Sequence, residues 1–178
     1  TLKTELNVFE HFKPELPEAF KNSEIVFLAN IDPDLQLEVL SQCRNPQLVA
    51  CDTMNLWINI KKPSLLKVLS KINTLLINEG EAKMLTGTSN AIAALEALGQ
   101  MGPQTIVCKR GEYGFVMKTP SGFFMLPAFP IPRVTDPTGA GDSFAGGFLG
   151  HLASVKNPLD VHQQKMACVS GCVMASFT

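Results

Sequence analysis

The sequence predicts an α/β fold in which a mostly parallel sheet is covered by helices on both faces. Four short, nearly continuous apolar runs, at 24–30, 48–52, 74–78 and 105–109, have the pattern of strands buried on both sides. Segments with helical spacing of apolar residues separate these runs. Polar residues follow each run at once: Asn30 and Asp32, Asp52 and Asn55, Asn78 and Glu81, Lys109 and Gly111. Ligands of open α/β sheets bind beyond the carboxyl ends of the strands. These residues and a glycine-rich turn at 139 therefore converge on one crevice.

Residues 1–23 form a poorly specified lead-in with Pro14 and Pro17, in which 4–9 fits one strand. After the first run, Asp32 is placed to cap a helix with Pro33 in its first position, and the helix continues to about Cys43. After the run at 48–52, residues 63–72 put Leu65, Leu66, Val68, Leu69 and Ile72 on one broad helical face. The run at 74–78 leads into a short helix over 79–85, stopped by Gly87, and a second over 90–98, stopped by Gly99. After 105–109, residues 113–118 and 122–128 read as a hairpin joined by Pro120-Ser121-Gly122. Two helices close the sequence, at about 139–152 and 159–177.

At 178 residues the chain has the length of one domain, 1–178, with enough residues to bury a core. Hydrophobic residues make up 46% and charged residues 17%, an ordinary globular balance. The formal net charge is −1 and the basic pairs are short, so no nucleic-acid surface is expected; a solvated face accounts for Lys61-Lys62. No apolar run reaches the roughly 20 residues needed to cross a bilayer, so no membrane partner is expected. No signal segment opens the sequence as given. The cysteines number five, and Cys51 and Cys108 fall inside apolar runs, which favours reduced thiols and a cytoplasmic location. Cys168 and Cys172, four apart on a helix, read as small packing residues more readily than as metal ligands.

The segment from Asp136 through Pro137, Thr138, Gly139, Ala140, Gly141 and Asp142 to Phe148 names a chemistry. Glycines at 139 and 141 let main-chain amides approach an anion closely. The following helix adds unpaired N–H donors at its positive end. Asp142 beside such a cradle suits a carboxylate that deprotonates a hydroxyl. A base next to an anion cradle is what phosphoryl transfer to an alcohol requires.

These residues resemble the ribokinase-like, or phosphofructokinase-B type, family of carbohydrate and nucleoside kinases. Its signature D-[TP]-[TP]-G-A-G-D-x-F-x-x-G is matched from Asp136 to Gly147. Asn78-Glu79-Gly80-Glu81 resembles the family's N-x-x-E element. Lys109-Arg110-Gly111-Glu112-Tyr113-Gly114 resembles its T-x-G-x-x-G nucleotide loop, with Lys109 in place of the usual Thr. The resemblance implies a ribokinase-like three-layer αβα fold. It also implies a chain that lacks the N-terminal sugar-binding segment and lid strands and stops before the end of the adenine pocket. ATP and Mg²⁺ are the implied cofactors, and a sugar or nucleoside is the implied substrate. Lid strands often pair relatives into homodimers, an arrangement implied only for a full-length protein.

By this resemblance Asp142 is the catalytic base and Gly139, Ala140 and Gly141 form the anion hole. Asn78 and Glu81 position Mg²⁺ and phosphate, with Glu79 as the rival carboxylate. Gly111, Gly114 and Gly141 let the main chain pass close to the nucleotide, and Lys109 reaches a phosphate. Asp136 and Thr138 match positions that supply oxygens to a monovalent cation such as K⁺ in some relatives. A structural role stands beside each assignment. Asp142 also suits a helix cap, 139–141 a tight turn, Asn78 and Glu81 a helix start, and Gly111 and Gly114 a hairpin turn. Lys109 equally suits a solvent-facing position, and Asp136 with Thr138 an Asx-type turn. Asp52 and Asn55 read as a turn in preference to phosphate or metal contacts. Gly146 and Gly147 suit close helix packing.

The expected function is ATP-dependent phosphorylation of a sugar or nucleoside hydroxyl. The alternative is a nucleotide-binding module inactive in isolation. Gly141 to Ala145 approaches a nucleophile elbow, but Ala145 breaks the pattern. A dinucleotide-binding fingerprint would lie early, after a first strand, whereas these glycines lie late.

Overall fold

The computed structural model describes residues 12–134 and 136–178. The strand expected over 4–9 lies outside them. Six strands form one sheet: β1 (Ile25–Leu28), β2 (Leu48–Asp52), β3 (Thr74–Asn78), β4 (Thr105–Lys109), β5 (Phe115–Thr119) and β6 (Gly122–Leu126). They lie side by side in chain order; β1 to β4 are parallel, and β5 and β6 run antiparallel. Strands β2, β3 and β4 have the bounds of the predicted apolar runs because nearly every position in them is buried.

Parallel neighbours need a crossover, and each crossover here carries helix. These are α1 (Pro33–Gln42), then α2 (Asn55–Ile60) with α3 (Lys62–Leu69), then α4 (Glu79–Thr86) with α5 (Ala91–Gly99). The sheet grows in one direction, and crossovers of one hand then fall on one face. Side chains of α1, α3, α4 and α5 pack with Val49, Cys51, Leu75, Ile77, Ile106 and Cys108 in one core. After the β5–β6 hairpin come α6 (Ala140–Ala153) and α7 (Val161–Ala175), which cover the other face over Leu48, Leu76, Val107, Phe115 and Met117. The alternation of side chains along a strand is what divides the residues between the two cores.

The cap residues behave as their chemistry requires. The Asp32 carboxylate accepts the Asp34 amide at 2.9 Å, with Pro33 at the start of α1. Asn90 accepts the Ala93 amide at 2.9 Å, and Asp160 the Gln163 amide at 3.0 Å. Helix α4 ends at Gly87, whose φ of +74° is open to glycine. Two sequence expectations are corrected. Gly99 is the last residue of α5 and does not stop it; the C-cap is Gln100. Lys61 and Lys62 are not a purely solvated face, because Lys61 pairs with Asp34 at 2.5 Å and Lys62 donates to the Leu85 carbonyl at 2.7 Å.

Helix α6 is the most firmly seated element near the glycine-rich turn. Phe144, Ala145, Phe148 and Leu152 are buried, and Phe144 stacks with Phe148 at 6.4 Å and meets Phe115 edge-on at 6.0 Å. A fully buried Phe contributes about 2–3 kcal/mol. Gly147 lets α7 approach closely, since a Cβ there would lie 2.8 Å from the Ser170 carbonyl. Gly171 does the same from α7, where a Cβ would lie 2.8 Å from the Phe144 carbonyl. Gly146 faces open space, so the packing role expected of the pair belongs to Gly147. All five cysteines are free, and Cys168 is buried with its sulfur 3.7 Å from that of Met117. Among the described residues, no helix is long and apolar enough to cross a membrane.

Candidate active site

The last residues of β2, β3 and β4 are Asp52, Asn78 and Lys109. By strand alternation they share a face with Leu48, Leu76 and Val107, the face that α6 covers. The first turn of α6 stands over these strand ends, where a Cβ built on Gly141 would lie 3.2 Å from the Lys109 Nζ. The sheet ends and the glycine-rich turn therefore do meet in one crevice, as their positions in the sequence predict.

The start of α6 differs from those of α1, α4, α5 and α7. Those helices have a side-chain cap from Asp32, Asn78, Asn90 and Asp160, whereas α6 begins at Gly139 with none. Gly139 has φ of +84°, the left-handed region where a Cβ is strained. This turn sends the Ala140 amide to the Pro137 carbonyl at 3.1 Å and the Ser143 amide to the Gly139 carbonyl at 2.8 Å. Among the described residues no acceptor takes the amides of Gly141 and Asp142. Such amides lie along the helix axis and present donors and a positive dipole end to whatever binds in front. Asp142 is exposed in the same turn. It does not cap its own helix through a side-chain bond, so the capping alternative has no contact to support it.

Lys109 reaches across β3 to Asp52, with Nζ donating to Oδ2 at 3.3 Å. The other oxygen of Asp52 accepts the Thr53 amide at 2.7 Å. Burial pushes the Asp52 carboxyl above the usual carboxylate range; Lys109 and the Thr53 amide oppose this, and the charge of Asp142 adds to it. Asp52 therefore stands beside Lys109 and within reach of the charge of Asp142, contacts that its sequence reading as a turn did not include. Its signal in the sequence is an acid closing a strand with every residue buried.

Asn78 and Glu81 form a reciprocal capping box at the start of α4. Asn78 Oδ1 accepts the Glu81 amide at 2.8 Å, and Glu81 Oε2 accepts the Asn78 amide at 3.0 Å. The helix-start role is thus observed, yet Glu81 Oε1 has no partner among the described residues. Burial raises the Glu81 carboxyl; the charge of Asp52 adds to this, and the Asn78 amide and Lys109 oppose it. Glu79, the rival, is fully engaged by Lys83 at 2.5 Å and Arg110 at 2.6 Å. Those bonds hold its carboxyl below the usual range. One carboxylate oxygen without a partner, on a half-buried side chain that feels the charges of Asp52 and Lys109, fits a hard cation that keeps most of its waters.

The remaining predicted residues fall outside this cluster or have a structural account. Gly111 has φ of +58° and Gly114 φ of +80°, on either side of a short 3₁₀ turn at Gly111–Tyr113. A Cβ on Gly114 would strike the main chain of Leu126 to Ala128, so hairpin packing accounts for that glycine, while Gly111 faces open space. Asp136 Oδ1 accepts the Thr138 amide at 2.9 Å, which is the Asx-type turn. The Thr138 hydroxyl and amide hold the Asp136 carboxyl below the usual range. Among the described residues no group of three His, Cys, Asp or Glu side chains is placed to hold a metal.

The sequence matches the profile of the pfkB family carbohydrate kinase over residues 4–176. It is 34% identical over 139 residues to a cytidine kinase from Thermococcus kodakarensis, which covers 75% of this chain and 49% of that protein. It is 29% identical over 140 residues to a nucleoside kinase from Methanocaldococcus jannaschii, 79% of this chain and 45% of that protein. The chain thus spans about half the length of these curated relatives.

Solved structures agree on the fold. A nucleoside kinase of Methanocaldococcus jannaschii, described as an archaeal member of the ribokinase family, superposes with a TM-score of 0.73 at 24% identity, covering 96% of this chain and 53% of that one. Aminoimidazole riboside kinase from Salmonella enterica, solved with aminoimidazole riboside and an ATP analogue, gives 0.71 at 21%, covering 86% and 55%. A fructokinase double mutant from Vibrio cholerae, solved with fructose, ADP and potassium ion, gives 0.70 at 18%, covering 89% and 54%. With the signature from Asp136 to Gly147 seated at an open helix mouth, the chain belongs to the pfkB family of carbohydrate kinases.

Proposed function

We propose that this chain carries the phosphoryl-transfer centre of an ATP-dependent kinase acting on a hydroxyl of a nucleoside or sugar. The observation that carries the reading is the uncapped start of α6, with two unclaimed amides, beside an exposed Asp142 and the Lys109 ammonium. The relatives named cytidine kinase and nucleoside kinase favour a nucleoside acceptor over a simple sugar.

The terminal phosphoryl group of ATP would bind at the Gly139–Gly141 turn through the open amides of Gly141 and Asp142, the Ala140 amide being held by the Pro137 carbonyl. Each preorganised donor of this kind lowers a barrier by about 3 kcal/mol. Lys109 adds a cationic donor beside the same turn. Asp142 takes the proton from the acceptor hydroxyl as it attacks in line, so an alkoxide is never released to solvent. Gly111 leaves its loop open for the nucleotide, and Asn78 holds Glu81 in place. Glu81 Oε1 is the atom that would hold Mg²⁺, a cation whose chemistry there would be to neutralise charge on the phosphate oxygens. Asp136, whose Oδ1 closes the turn to the Thr138 amide, and Thr138 would supply the oxygens for a monovalent cation.

Asp142→Asn tests the reading. Phosphorylated product, followed on a panel of cytidine, other nucleosides and sugars, is expected to fall by about 10²–10⁴-fold, the range typical of one positioned base. ATP affinity and melting temperature should stay near those of the parent. Turnover close to the parent rate would refute Asp142 as the base. ATP binding by the parent chain with no product from any acceptor would favour the inactive nucleotide-binding module.

A further inference from the structure

Lys109 is the cation that balances a group of acids at the crevice. It bonds Asp52 directly, the charge of Asp142 acts on Asp52, and the charges of Asp52 and Lys109 both act on Glu81. A lysine on a four-carbon stem ordinarily samples many rotamers, and fixing one costs about 2 kcal/mol. Here the side chain is 18% exposed and the Asp52 carboxylate 9%, so the amine is held before any ligand binds. Asp52 is itself fixed, because Oδ1 is tied to the Thr53 amide and only Oδ2 faces the lysine. The bond to Asp52 uses one of three ammonium protons and leaves the others for a second acceptor. The direction is set by Gly141, whose missing Cβ leaves room for Nζ beside the first turn of α6.

We propose that Asp52 is a positioning residue for the phosphoryl site: it holds the Lys109 ammonium against the Gly139–Gly141 turn, so that amine and helix amides grip the same phosphoryl oxygens. This rests on the kinase reading and extends it to a residue outside the glycine signature, 57 positions from its lysine partner. Asp52 touches no substrate atom and acts through Lys109. Its value lies in preorganisation, since an amine already aimed loses little freedom when the anion arrives.

Calorimetry on this chain with ATP and with AMP, in EDTA, tests the assignment in the parent, K109M, D52A, D52N and the D52A/K109M double variant. AMP lacks the terminal phosphoryl groups, so it reports on the rest of the nucleotide site. K109M is expected to weaken ATP by about 10- to 100-fold, the worth of one charge-assisted bond, and to leave AMP unchanged. D52A should show the same selectivity for ATP. D52N keeps the shape of the side chain but offers one oxygen for two donors, the Thr53 amide and the Lys109 ammonium, so it should weaken ATP as D52A does and leave AMP unchanged. Adding D52A to K109M should cost no further ATP affinity. Should D52A fail to fold, D52N and K109M carry the test. Loss of ATP and AMP together in step with melting temperature, or parent-like ATP binding by K109M, D52A or D52N, would each overturn the assignment. A parent chain that binds no ATP would overturn the kinase reading as well, which separates the two failures.

Discussion

Gly141→Ala should make the protein more stable and its phosphoryl site worse. Gly141 is the second residue of α6, and its φ is not in the left-handed region. Alanine therefore fits the backbone without strain. Replacing Gly by Ala in a helix is worth up to about 1 kcal/mol, and roughly half of that applies in a first turn. The added Cβ meets only the Lys109 Nζ, at 3.2 Å, the far end of a flexible side chain that yields by a few tenths of an ångström. The net expectation is about 0.5 kcal/mol of stabilisation, or a melting temperature raised by about 1–2 °C for a chain of this size. The same methyl group enters the space between the ammonium and the helix amides. Loss of one preorganised donor there lowers kcat by about 10²-fold. Circular-dichroism melting and calorimetry with ATP read the two effects separately. Unchanged ATP affinity would refute the placement of the phosphoryl group between Lys109 and α6. A melting temperature lowered by several degrees would refute the account of the space around Gly141.

Gly139→Ala should act in the opposite sense on stability. Its Cβ has open space, but φ of +84° costs an alanine about 1–2 kcal/mol, so the melting temperature should fall by about 2–8 °C and ATP affinity with it. Glu81→Gln tests the electrostatics of the site through the pH dependence of stability. Because burial raises the Glu81 carboxyl, the folded state binds its proton more tightly than the unfolded state does. Ionised Glu81 thus disfavours the fold above the ordinary carboxylate range, and that penalty vanishes as pH falls through the unfolded value of about 4. Gln keeps the capping bond to the Asn78 amide, so the variant should melt higher than the parent at pH 7, with the gap closing on acidification. A gap that widens on acidification would show the sign to be wrong.

The strands were legible because burial on both faces leaves no polar alternation: 48–52, 74–78 and 105–109 are apolar almost throughout. Helix α6 and its mouth were legible from Gly139, Gly141 and Asp142 in fixed order. Helix α2 was not legible. It has six residues, its N-cap residue Met54 makes no side-chain bond, and it forms through tertiary contacts, with Trp57 and Ile58 buried and Trp57 Nε1 donating to Asn30 at 2.9 Å. The Asp52–Lys109 pair was invisible for a similar reason. No local spacing links residues on two strands separated by a third, and only the register of β2, β3 and β4 brings them together. The capping box shows a different limit: the two side chains that the resemblance assigns to a cation, Asn78 and Glu81, also satisfy a helix start, so spacing alone supports both roles.

The seating of α6 bears on how the centre operates. Its working groups occupy one terminus, while Phe144, Phe148, Leu152 and the Gly147–Gly171 contact clamp the rest of the rod between the sheet and α7. On the proposed reading, the donors thus stand on a packed rod and not on a loop. Enclosure of the reactants is then expected from other parts of the protein.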